Sequence, residues 1–166
     1  MRALRGPPVA RGMGESWSGI VWAGFVASVL AAGVFWTFRA LEWTRFSPTG
    51  QLGCLFFDDP RVPMAETVGF AIFLALGATV GAALFAGAMR MLGGAGWAAG
   101  TGTGALLGVA AAAALPWLAR ASRCVRMGRL PPPGRMGFAW GRATPVALAT
   151  GSAAYGGVLG AVLAAL

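Results

Sequence analysis

Apolar residues gather in four long blocks separated by polar stretches. The blocks run from Trp17 to Phe38, from about Thr67 to Met89, from Gly96 to Leu118 and from Ala143 to Leu166. At a rise of about 1.5 Å per residue, each is long enough to cross the roughly 30 Å hydrocarbon core of a bilayer. A secretory leader has an apolar region of only about 7–15 residues. The first block therefore predicts a span, with cleavage near Ala31-Ala32-Gly33 as the competing reading. The pattern predicts an all-α membrane protein with four transmembrane helices packed as a glycine-rich antiparallel bundle. Residues 1–16 are expected to form a polar N-terminal tail and residues 17–166 a single membrane domain.

Within the third block small residues recur every fourth position: Gly96, Gly100, Gly104, Gly108 and Ala112. Residues i and i+4 share a helix face. In water such a helix is poor, since each interior glycine costs about 1 kcal/mol against alanine. In lipid the need to satisfy backbone groups enforces helix, and the bare stripe lets a neighbour approach closely. Ser152, Gly156, Gly160 and Ala164 form a second ladder in the fourth block, and Gly69, Gly77 and Gly81 share a face of the second. The third helix is expected at the centre, packed against the second or the fourth. The short link Met91 to Ala95 makes spans two and three an antiparallel hairpin.

The connecting stretches differ in character. From Arg39 to Glu66, Arg39, Glu42 and Arg45 are spaced to pair along a helical extension of the first span. Ser47-Pro48-Thr49-Gly50 reads as a turn. Leu52 to Phe57 is apolar but too short to span, and is expected in the interface or tucked against the bundle. After the third span, where Pro116 is expected to kink or close the helix, come Arg120, Arg123, Arg126, Arg129, Arg135 and Arg142 without an acid among them. Pro131-Pro132-Pro133-Gly134 interrupts any helix there and predicts polyproline II or irregular chain. Trp17, Trp36, Trp43, Trp97, Trp117 and Trp140 lie near span ends or in loops, as an interfacial aromatic belt would.

Composition strengthens the membrane reading. Only 11% of the 166 residues are charged, against about 25% in soluble domains. All thirteen basic residues are arginine. The net charge of +8 fits topology and anionic lipid better than nucleic acid, because no aromatic platform is interleaved with the arginines. Arg120, Arg123, Arg126, Arg129 and Arg135 are the candidate contact with anionic lipid or a partner. The expected partners are the bilayer, anionic lipid, a membrane protein or a second copy of the chain.

No catalytic signature emerges. The chain contains no histidine and no lysine, so a serine or cysteine nucleophile lacks its usual bases. The span interiors hold no ionisable group, only the hydroxyls of Ser28, Thr79, Thr101, Thr103, Thr150, Ser152 and Tyr155; this argues against a proton-coupled pump. Asp58 and Asp59, with Glu42 and Glu66 near in sequence, could hold a hard cation, though adjacent carboxylates in a proline-containing turn are more often solvated. No catalytic, cofactor-binding or metal residue is assigned. Cys54 and Cys124 match no zinc spacing, and a disulfide between them requires both loops to face an oxidising compartment.

Orientation is contested within the chain. With four spans, nine arginines fall in the two long loops and four on the opposite side. The positive-inside count then puts the long loops in the cytoplasm. The three arginines ahead of the first span argue the other way.

Trp43-Thr44-Arg45-Phe46-Ser47-Pro48, Pro133-Gly134-Arg135 and Tyr155-Gly156 followed by Gly160 resemble, in order and spacing, segments of the YqhR family of small bacterial membrane proteins. The spans here are richer in alanine and glycine, and the third loop richer in arginine, than in that family. The resemblance implies a four-helix protein of the bacterial cytoplasmic membrane with no assigned reaction. The reading is of a non-enzymatic interaction or assembly protein; the rival is a small oligomeric carrier or pore for a neutral solute or lipid.

Overall fold

The computed structural model describes residues 12–59, 62–92 and 96–165; among them every regular element is helical. Helix α1 spans Gly12–Ala40, α2 Pro48–Gly53, α3 Pro63–Leu76, α4 Ala82–Leu92, α5 Trp97–Ala121, α6 Arg123–Arg126 and α7 Thr144–Ala165. A π-helical turn, Gly77–Gly81, joins α3 to α4, and a 3₁₀ segment, Arg135–Trp140, precedes α7. Four stretches are long and apolar enough to cross a membrane: Trp17–Ala40, Pro63–Met91, Trp97–Ala121 and Thr144–Ala165. The protein is a multi-pass integral membrane protein. Most of the polar tail expected over residues 1–16, and part of the Met91 to Ala95 link, lie outside the described residues; α1 already begins at Gly12, inside the expected tail.

The helical extension expected past the first span does not form. The Trp43 amide donates to the Phe38 carbonyl and the Glu42 amide to that of Arg39. This is the paired bonding of a Schellman end. Glu42 takes the left-handed position with φ 59°, which glycine would adopt without strain. Phe38 and Trp43 close the motif with an edge-on ring contact, their centroids 5.6 Å apart. The chain is thereby turned back over the bundle, and Arg39 pairs with Glu66 at 2.7 Å instead of with Glu42.

The expected turn at Ser47 is in fact the start of α2. Ser47 caps it by accepting the Gly50 amide at 3.0 Å, with Pro48 in the first turn. Helix α2 lies against α3: a Cβ on Gly53 would overlap the Ala65 carbonyl, and one on Gly69 the Thr49 carbonyl. Pro116 does not close the third span, which continues to Ala121. Membrane helices tolerate proline because neighbouring groups re-satisfy the freed carbonyl.

Helix α7, not α5, is central. It packs against α5 on one side and against α1 and α4 on the others, whereas α5 scarcely meets α4 despite following it in sequence. Two apolar clusters result. One, toward the loops, includes Phe35, Phe46, Leu115, Trp140 and Leu148. The other, at the opposite end, includes Ile20, Phe85, Met89 and Leu159. Tyr155 borders both, and its hydroxyl donates to the Gly77 carbonyl in the π turn.

Candidate functional site

The glycine ladders meet each other. The Gly96 amide donates to the Gly160 carbonyl at 3.2 Å. A Cβ on Gly100 would collide with the Gly156 carbonyl, one on Gly104 with that of Ser152, and one on Gly108 with Leu148 and Ala149. As the numbering rises along α5 it falls along α7, so the two helices run in opposite senses at backbone contact. The ladder of the second span divides among three partners: Gly69 faces α2, Gly77 faces Ser28 of α1, and Gly81 faces the Tyr155 hydroxyl. Span hydroxyls serve the backbone: Ser28, Thr79 and Thr101 each donate to the carbonyl four residues earlier.

The feature the residue pattern did not reveal is that the two long loops form one folded cap over one end of the bundle. Cys54 and Cys124, 70 residues apart, are joined by a disulfide and fully buried. The Arg123 amide donates to the Cys54 carbonyl at 3.2 Å, and the Arg45 amide to that of Trp140 at 2.6 Å. Thr44 and Thr144 share a buried hydroxyl–hydroxyl bond of 2.7 Å. Gly141, at φ 136°, lies 2.7 Å (measured from an ideal Cβ) from the Trp43 carbonyl oxygen, so both the conformation and the close approach require glycine there.

Trp140 is the hub of the cap. It is 4% exposed, stacks on Phe46 at 5.6 Å between ring centroids, and donates its indole N–H to the Pro131 carbonyl at 2.8 Å. Its expected place in an interfacial belt is therefore corrected: the ring is core. The other six tryptophans are exposed on the outer surface, from 48% for Trp36 to 70% for Trp97. A fully buried indole finds its N–H a partner, and the carbonyls of the proline run supply one.

Arg120, Arg123, Arg126, Arg129 and Arg135 are all exposed. Of these, Arg129 meets basic residues of the other loop across a hollow. With Arg39 and Arg45 it lines a polar hollow of about 330 Å³, whose wall also includes Glu66, Gln51 and Trp140. Gln51 and Trp140 are shared with an adjoining apolar hollow of about 360 Å³ between α2 and the end of α5. Ser122 lines that second hollow, and its Oγ is buried without a hydrogen-bond partner. A third, apolar groove of about 390 Å³ opens between α1, α3, the π turn and α7, beside Tyr155.

The acidic residues do not converge. Glu66 is taken by Arg39, Glu42 and Asp58 are exposed, and no group of three or more metal-ligating side chains occurs among the described residues. One signal for the cap was present in the chain: an even number of spans between the loops puts both cysteines on one side of the membrane. Arg39, Arg45, Gln51 and Ser122 carried no such signal, since their proximity depends on the turn at Glu42 and the docking of α2.

No family model, curated protein or solved structure matches the chain. Trp43 to Pro48 and Pro133 to Arg135 both lie in the cap, linked through Trp140 and the Ala139 amide, which donates to the Pro133 carbonyl.

Proposed function

We propose that this integral membrane protein is a non-enzymatic interaction or assembly protein of the bacterial cytoplasmic membrane, and that its cap is the surface that meets a partner or lipid headgroups. The observation that carries the reading is the Cys54–Cys124 disulfide, which ties the two long loops together covalently. Disulfides persist in oxidising compartments and are rare in the cytosol. The bond therefore supports a cap on the outer face of the membrane. That orientation runs against the total arginine count but agrees with the three arginines ahead of the first span. The resemblance to YqhR proteins implies a four-helix protein of the bacterial cytoplasmic membrane, with no assigned reaction.

Side-specific labelling tests it. With Cys54→Ser, the thiol of Cys124 becomes free, and the reciprocal variant frees Cys54. Both are expected to react with a membrane-impermeant maleimide in intact cells after brief loosening of the cap by mild denaturant. Reaction only after lysis would put the cap in the cytoplasm and defeat the reading.

The alternative, a small oligomeric carrier for a lipid or neutral solute, draws support from the groove beside Tyr155. Its outer rim includes Val80 and Leu84, which are 53% and 70% exposed, as a lipid-facing opening would require. Saturable flux by the purified protein in liposomes would replace the interaction reading with this one.

A further inference from the structure

We infer that the paired hollows beneath the cap form a site for one anionic phospholipid, its phosphate held by Arg39, Arg45 and Arg129 and one acyl chain lying between α2 and the end of α5. The inference rests on the reading of the cap as an interaction surface and names the ligand it takes.

Charge is the first argument. Three arginines and a single carboxylate, Glu66, line the polar hollow. Glu66 is already bound by Arg39 at 2.7 Å, and Arg45 and Arg129 have no acidic partner among the described residues. Two positive charges are thus left uncompensated. Arginine forks suit phosphate oxygens, and several converging on one point favour an anion over water.

Position is the second argument. Arg39 ends α1 and Glu66 lies in the first turn of α3. The hollow therefore sits where two spans leave the bilayer, at the level of phosphates. A free anion would use this hollow alone. Here Trp140 and Gln51 also form a wall of the apolar hollow, where Leu115 and Leu118 of α5 face Leu52 and Leu55. A polar head and an apolar chain are therefore accommodated side by side, each in a space of ligand size.

The third argument is independent of the arginines. Ser122 is 3% exposed and its hydroxyl lacks any partner. Buried hydroxyls are nearly always hydrogen-bonded, so an unpaired one lining a hollow marks a missing acceptor. A phospholipid's ester carbonyl, between head and chain, is an acceptor of the right kind.

The test uses the full-length, disulfide-bonded protein in phosphatidylcholine nanodiscs, titrated with phosphatidylglycerol, with retained lipid counted by native mass spectrometry. One phosphatidylglycerol is expected to be retained saturably. At about fivefold per arginine near a lipid headgroup, the double variant Arg45→Gln/Arg129→Gln should weaken it about 25-fold. Arg90→Gln/Arg142→Gln, which removes equal charge at exposed positions outside the hollow, should leave it unchanged. Ala121→Trp, which obstructs the apolar hollow without altering charge, should abolish retention of the lipid. It keeps the test decisive if the arginine variant fails to fold.

Equal losses in the two arginine variants would mean diffuse attraction and overturn the site. So would phosphatidylcholine retained as tightly as phosphatidylglycerol, or inorganic phosphate competing at the lipid's own affinity. The assay is blind to sidedness. Loss of lipid selectivity with outward labelling would remove the ligand and leave the interaction reading. Selective binding with inward labelling would keep the lipid site and overturn only the outward orientation of the cap.

Discussion

Gly104 offers a sharp test of how α5 and α7 are held together. A Cβ there would overlap the Ser152 carbonyl oxygen and lie 2.8 Å from its carbon and 3.0 Å from Ala153 Cα. Ordinary contact starts at 3.4 Å. Even alanine therefore requires the two backbones to part by more than about 0.6 Å, the clearance missing at the Ser152 carbon alone, and the obstacle is backbone, which has no rotamer to change. Both helices are rods touching also at Gly100–Gly156 and Gly108–Leu148, so a local wedge opens the whole contact. A gap of roughly 0.5–1 Å forfeits a quarter to a half of each dispersion well. Overpacking of this kind costs about 1–3 kcal/mol, and Gly104→Leu belongs at the upper end or beyond it. At about 2–4 °C per kcal/mol for a chain of this size, the leucine variant should melt roughly 6–12 °C lower.

Gly102, half a turn away, has nothing within 4 Å of a built Cβ. Gly102→Leu adds the same atoms to the same helix and gains up to about 1 kcal/mol of helix propensity. It should melt at or above the parent. Thermal unfolding in one detergent at one scan rate, followed by circular dichroism, reads both. Equal melting of the two leucine variants would refute the argument, because it would mean that α5 and α7 do not depend on backbone contact.

Other outcomes follow from the same geometry. Trp140→Ala should cost about 3–5 kcal/mol, the usual figure for a buried aromatic, and make the 122–143 loop protease-sensitive; Trp117→Ala, 64% exposed, should change stability by no more than about 0.5 kcal/mol. Equal proteolysis of the two would discount the tryptophan as hub of the cap. Tyr155→Phe removes the bond to the Gly77 carbonyl and should lower stability by about 0.6–2 kcal/mol, read by the same melt; an unchanged melt would show that the π turn holds without it. Reducing the Cys54–Cys124 bond, which closes 70 residues, should cost at most about 4.4 kcal/mol in the chain-entropy account. The true figure should be lower, because inserted helices already restrict the unfolded chain. Non-reducing electrophoresis against a thiol count checks that the bond forms, and two free thiols in the isolated protein would deny it.

The number of spans and their approximate limits were legible in the chain because lipid leaves the backbone little alternative to helix and membrane thickness sets the length. The first and fourth spans begin and end within a few residues of the apolar blocks, and the small-residue ladders at 96–108 and 152–160 fall where two helices touch. What only the tertiary structure decided are the choices among equivalent partners. In lipid every apolar face is much alike, so no hydrophobic pattern says that α7 rather than α5 is central, or that Gly69, Gly77 and Gly81 serve three neighbours. The cap was equally hidden. A left-handed turn at a glutamate, a tryptophan buried from a loop, and contacts between Thr44 and Thr144 or Cys54 and Cys124 join residues 70 to 100 positions apart. Local periodicity carries information over a few turns of chain, and such pairings depend on where four separate helices have already put their ends.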